Sequence, residues 1–219
     1  MTADDEPLSV ITSDRAVTVV RAPRPFDVTA LASALARGGL RAVELTLTTP
    51  GILDRLATTD VETVAPQAVI GVGTVLNAAD ANAAIDAGAR FLVTPAVSVA
   101  VARVAADSGV PLIMGALTPT EVMAAVDLGA SAVKIFPARA HGPAYLRDLL
   151  GPFPALSLIP SGGVNAGNAA DYLAAGAVAV TAGTDVVTPA LVDAARWDTI
   201  TDRAAAFAAA VNTASGAST

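Results

Sequence analysis

Lys134 is the only lysine in a chain of 219 residues that carries twelve arginines. It stands in Ala132-Val-Lys-Ile-Phe-Pro137, with apolar residues alternating around it. On a strand, Val133 and Ile135 then face a covering layer while Lys134 points the other way, inward. A buried ammonium is costly without a partner, and once deprotonated it becomes an amine that can attack a carbonyl and form a Schiff base. Arginine cannot substitute, because its guanidinium stays protonated. That would explain one retained lysine in a chain whose other basic residues are all arginine. A structural ion pair and a cationic substrate clamp remain open as readings of the same residue.

Glu44 has a similar setting in Ala42-Val-Glu-Leu-Thr-Leu47. If Val43 and Leu45 face out, Glu44 faces in. A carboxylate beside an amine can carry the protons that carbinolamine formation, dehydration and C–C cleavage require. Charge compensation for Lys134 is the plainer reading, and the two are compatible. Two small-residue segments offer a different chemistry. Ser161-Gly162-Gly163 and Gly183-Thr184 could bring backbone N–H groups against an anion, helped by a following helix N-terminus. His141, in Arg139-Ala-His-Gly-Pro143, reads as an exposed loop residue, and Trp197 and Phe207 as packing or subunit contacts.

Positioning such groups requires a repeating scaffold. Short, almost wholly apolar runs predict strands over Val17–Ala22, Ala42–Leu47, Ala68–Thr74, Arg90–Pro95, Pro111–Leu117, Ala132–Pro137, Leu156–Ser161 and Ala177–Gly183. Amphipathic helices are predicted between them, at Thr29–Arg37, Ala79–Ala87, Val99–Ser108, Thr120–Leu128 and Asn168–Ala175, each followed by glycine. Asn77 reads as an N-cap, and Thr118-Pro-Thr-Glu121 as a capping box with proline in the first turn. Strand starts recur every 21 to 26 residues. Eight such units predict an α/β fold, a single (β/α)8 TIM barrel over residues 1–219. A doubly wound sheet is the runner-up, but no G-x-G-x-x-G with a later acidic residue supports it. Residues 1–13 are expected to be loose and 212–219 to fray.

In such a barrel, chemistry collects at the C-terminal ends of the strands. Those ends carry Arg21, Glu44, Thr74, Pro95, Lys134, Phe136, Ser161, Gly162, Gly163, Gly183 and Thr184.

Composition removes several alternatives. The formal net charge is −7, so nucleic acid and anionic membranes are not expected partners. Cysteine is absent and His141 is the only histidine, which argues against disulfides, a thiolate or histidine-ligated metal and a Ser-His-Asp triad. With no signal-peptide pattern at the start and no stretch of about 18 apolar residues, a cytoplasmic protein is expected.

Together, Glu44-Leu-Thr, Gly71-Val-Gly-Thr-Val75, Val93-Thr-Pro95, Thr118-Pro-Thr-Glu121, Lys134-Ile-Phe-Pro137 and Ser161-Gly-Gly-Val164 resemble the 2-keto-3-deoxy-6-phosphogluconate and 4-hydroxy-2-oxoglutarate (KDPG/KHG) aldolases. The resemblance runs from about Val17 to Val187. It implies a metal-independent class I aldolase on a trimeric barrel, with pyruvate and a phosphorylated keto-deoxy sugar acid as ligands. By the same resemblance Lys134 forms the Schiff base and Glu44 is the acid/base. Arg21, Thr74, Pro95 and Phe136 are substrate-binding, and Ser161, Gly162, Gly163, Gly183 and Thr184 bind phosphate. Two positions depart from the family pattern: Thr184 stands for the family's serine after strand 8, a mild change, and Thr48 stands where many members carry a carboxylate-binding arginine, so that role falls to its hydroxyl or to Arg21. Two other functions fit the residues: a different phosphate-binding barrel lyase or isomerase with Lys134 as general acid, and a non-catalytic sugar-phosphate sensor.

Overall fold

A computed structural model of the chain describes residues 6–59 and 61–213. Its strands are β1 (Ala16–Val20), β2 (Ala42–Thr46), β3 (Val69–Gly73), β4 (Leu92–Val93), β5 (Leu112–Ala116), β6 (Ala132–Ile135), β7 (Leu158–Pro160) and β8 (Val180–Ala182). They run parallel in the order β7-β6-β5-β4-β3-β2-β1-β8. The seam between β7 and β8 is bridged at two points. Val178 N–H donates to the Leu158 carbonyl at 3.0 Å, and the Thr181 hydroxyl to the Pro160 carbonyl at 3.2 Å. The sheet therefore curls into the (β/α)8 barrel that the strand spacing predicts.

The period-two pattern of each strand divides two cores. Outward residues such as Val43, Leu45, Val72, Met114, Val133 and Ile135 join one large apolar cluster under the helices. Inward residues form a separate floor, with Val17, Ala42, Val69, Phe91, Ile113, Ala132, Ile159 and Ala179 contributing one side chain per strand or from the position just before it. Gly71 leaves room in this layer: a Cβ there would collide with the Phe91 ring.

Helices cover the barrel where their caps predict them. The Asn77 side chain accepts from Asp80 N–H, starting Ala78–Asp86. The capping box of Thr118 and Glu121 starts Pro119–Asp127, with Pro119 in the first turn. Gly109 closes Val99–Ser108 at φ +67°, a conformation glycine adopts without strain.

The amino terminus differs from the sequence expectation. Residues 6–13 are not loose: Glu6–Asp14 is a helix. Its Ile11 is 1% exposed and packs against the barrel floor. Asp14 anchors the helix end by accepting from Arg41 N–H at 2.8 Å and Arg41 Nε at 2.9 Å, at the entry to β2. The helix closes the end of the barrel opposite the strand C-termini. Of the tail expected to fray, Asn212 and Thr213 complete the helix Trp197–Thr213, while 214–219, like residues 1–5, lie outside the described residues. Phe207 is buried in that helix, and Trp197 packs partly buried against the same core. No helix among the described residues is long and apolar enough to cross a membrane.

Candidate active site

Above the floor, the second inward layer turns polar. Glu44 on β2 and Lys134 on β6 point into the barrel from opposite walls, 1% and 8% exposed. Lys134 Nζ lies 3.2 Å from Glu44 Oε2 and 3.4 Å from Oε1. Two buried charges can be sustained here because each supplies the other's partner. The barrel also makes space for them. A Cβ on Gly73 would collide with the Glu44 carboxylate, which therefore bends over β3 into the space that glycine leaves. Gly115, beside Lys134 in the sheet, similarly admits the Pro95 backbone.

A cavity of about 800 Å³ opens above the pair at the strand C-termini. That is within the range of small-molecule sites. Arg21, Glu44, Thr74, Pro95, Lys134, Phe136, Ser161, Gly162, Gly163, Gly183 and Thr184 all line it, so the structure brings together eleven of the twelve site residues read from the sequence. Thr48 is the exception. It does not line the cavity; it lies exposed on the turn after β2, its hydroxyl 3.1 Å from that of Thr46. Chain alternation ends at Thr46, so the turn carries position 48 away from the cavity.

Thr74 meets the cavity in an unusual backbone conformation. Its φ is +60°, rare for a β-branched residue, and holding it there costs about 1–3 kcal/mol. Hydrogen bonds pin both neighbours: Leu47 N–H donates to Gly73 C=O at 2.9 Å, and Val75 N–H to Val93 C=O at 3.2 Å. Strain retained at a cavity wall is consistent with a positioned functional group.

The far side of the cavity is built from the loops after β7 and β8. Gly162 and Gly163 have φ of +87° and +89°, which non-glycine residues rarely adopt. The Phe136 ring packs over Gly162, still 42% exposed at the mouth. Among the described residues, the N–H groups of Gly162, Gly163, Val164, Thr184 and Asp185 meet no backbone or side-chain acceptor. Unpaired N–H donors on adjacent loops that line one cavity are suited to an anion. The helix after β7 begins at Ala169, within one residue of the predicted start, and the loop before it supplies these donors.

Sequence reasoning missed one cation here. Arg139 also lines the cavity. Its residue type and closeness to Lys134 were the available signals, but it lies beyond the strand, where alternation no longer assigns a direction. Val19, Thr181 and Asp185 complete much of the wall. His141 is exposed in its loop, its ring 4.6 Å from that of Tyr145. Among the described residues, no group of three or more His, Cys, Asp or Glu side chains is placed to hold a metal.

Comparison with known proteins gives the site a context. The family model described as KDPG and KHG aldolase matches residues 8–203. The chain is 41% identical over 184 residues to a 2-dehydro-3-deoxy-phosphogluconate aldolase of Pseudomonas aeruginosa, covering 84% of this chain and 83% of that protein. It is 33% identical over 194 residues to the KHG/KDPG aldolase of Escherichia coli K12, covering 88% of this chain and 90% of that protein. Among solved structures, it is similar to a KDPG aldolase of Legionella pneumophila with pyruvate captured as a covalent carbinolamine intermediate. The TM-score is 0.81 at 28% identity, covering 92% of this chain and 97% of that chain.

Proposed function

The chain belongs to the KDPG and KHG aldolase family, and from that premise we propose that it is a class I aldolase acting through an imine on Lys134. Its substrate is 2-keto-3-deoxy-6-phosphogluconate, cleaved to pyruvate and glyceraldehyde 3-phosphate, with 4-hydroxy-2-oxoglutarate cleaved to pyruvate and glyoxylate as a second reaction. The observation that carries this reading is the Lys134–Glu44 contact of 3.2 Å at the base of the cavity. It joins the chain's one imine-forming side chain to a proton carrier.

The steps follow from that contact. Glu44 takes a proton from the Lys134 ammonium, leaving a free amine. The amine attacks the C2 ketone and forms a carbinolamine. Protonated Glu44 returns its proton to the departing hydroxyl, water leaves, and a cationic iminium remains. Glu44 then removes the C4 hydroxyl proton. The C3–C4 bond breaks as the C4 carbonyl forms, and the released electron pair flows into the iminium to give an enamine. Protonation at C3 and hydrolysis release pyruvate and restore Lys134.

The rest of the cavity orients the chain of the substrate. Arg21 and Thr74 face the carboxylate end, with Pro95 and Phe136 beside the carbon chain. Ser161, Gly162, Gly163, Gly183 and Thr184 receive the phosphate, whose remote binding energy holds the reacting carbons over Lys134. The homotrimer implied by the resemblance belongs to the same reading.

Turnover is tested by following pyruvate release from each substrate with and without a chelator such as EDTA. The expected result is cleavage that the chelator leaves unchanged, since the iminium on Lys134 supplies the electron sink. No pyruvate from folded protein, or loss of turnover on chelation, would overturn the reading.

A further inference from the structure

Arg139 differs from the other cations of the cavity in how it is held. Its backbone N–H donates to the Gly162 carbonyl at 2.9 Å, one residue after Ala138 N–H donates to Ser161 C=O at 2.7 Å. These bonds tie the β6 and β7 loops together beyond the sheet. The Arg139 stem then crosses Gly163: a Cβ on that glycine would meet Arg139 Cβ, Cγ and Cδ. The lack of a side chain at position 163 is thus what lets the stem lie over the loop that carries the free N–H groups.

The guanidinium itself makes no hydrogen bond or ion pair with any of the described residues. Asp185, on the β8 loop of the lining, makes no ion pair with it; its Oδ2 accepts from Ala166 N–H at 2.8 Å. Glu44 is committed to Lys134. The lining therefore carries three cationic and two anionic side chains in a protein of net charge −7, and the surplus sits at the mouth. A guanidinium with five free donors, hung over a loop of free N–H groups, matches a group with several acceptor oxygens.

We propose that Arg139 is a specificity-determining residue that grips the distal phosphate and so sets the preference for phosphorylated over unphosphorylated substrate. Arg21, on the opposite flank of these loops, faces the carboxylate that both substrates share. The proposal rests on the aldolase reading, and its test separates the two.

Both substrates are assayed with wild type, Arg139→Gln, Arg139→Lys and Arg21→Gln. Losing a charge-assisted contact predicts that Arg139→Gln lowers the ratio of kcat/KM, phosphorylated over unphosphorylated, by about 10- to 100-fold, chiefly through KM. Arg139→Lys recovers part of the ratio. Arg21→Gln lowers both values and leaves the ratio near that of wild type. An unchanged ratio in Arg139→Gln, or equal losses on both substrates, would overturn the proposal. Binding of inorganic phosphate by calorimetry reads the same residue without turnover: wild type binds and Arg139→Gln binds at least 10-fold more weakly. If wild type cleaves neither substrate yet shows that phosphate difference, the aldolase reading fails and the anion assignment of Arg139 stands. Equal phosphate affinity in the two proteins would overturn the assignment.

Discussion

The carboxylate of Glu44 bends into the space where a side chain on Gly73 would stand. Glu44 pairs with Gly71 across the β2–β3 ladder, so its side chain reaches one inward position further along β3. This places the oxygens 3.2 and 3.4 Å from Lys134 Nζ. The proton carrier is thus positioned by what β3 lacks.

Gly73→Ala should displace Glu44 and lower kcat by at least 10-fold. Overpacking of this kind costs about 1–3 kcal/mol of stability. Gly71→Ala, which collides with Phe91 in the floor instead, should lose comparable stability with a much smaller fall in kcat. Thermal unfolding and steady-state kinetics on the two variants check this. Equal kinetic losses in both would show that Gly73 acts through general packing.

Lys134→Arg and Lys134→Met should both abolish cleavage, since neither can form an imine. Their stabilities should differ. Removing one partner of a buried ion pair costs about 3–5 kcal/mol, and methionine leaves Glu44 without a cation. Arginine keeps the charge and should lose less. Denaturant unfolding at neutral pH measures the difference. Substantial turnover by either variant would contradict the assigned role of Lys134.

Ile11→Ala should destabilise the protein by about 2–5 kcal/mol, the usual cost of truncating a fully buried aliphatic side chain. The catalytic layer lies on the other side of the floor, so the folded variant should retain its kcat. A change near zero in unfolding free energy would mean that the helix Glu6–Asp14 does not plug the barrel in solution.

Much of this was legible in the sequence for a local reason. Lys134 and Glu44 each sit in an alternating apolar run, and alternation alone assigns their inward direction once the fold class is given. The barrel followed from spacing. What escaped the sequence depends on contacts between distant elements. Ile11 lies in a short segment flanked by acidic residues, Asp4, Asp5, Glu6 and Asp14, and only the floor shows why it is buried. Thr48 and Arg139 both lie past a strand end, where the backbone turns. The turn takes Thr48 out of the cavity, while the open face of Gly163 draws Arg139 in. The Thr74 conformation and the Gly73 vacancy are likewise properties of neighbouring strands.

The central claim is imine formation on Lys134, and borohydride reduction in the presence of pyruvate tests it most directly. With one lysine in the chain, the α-amine is the only competing primary amine. Intact mass and peptide mapping should show a single carboxyethyl group on the Lys134 peptide, absent without pyruvate and absent in Lys134→Arg. Folded protein that acquires no adduct at Lys134, or acquires it only at the α-amine, would contradict the account.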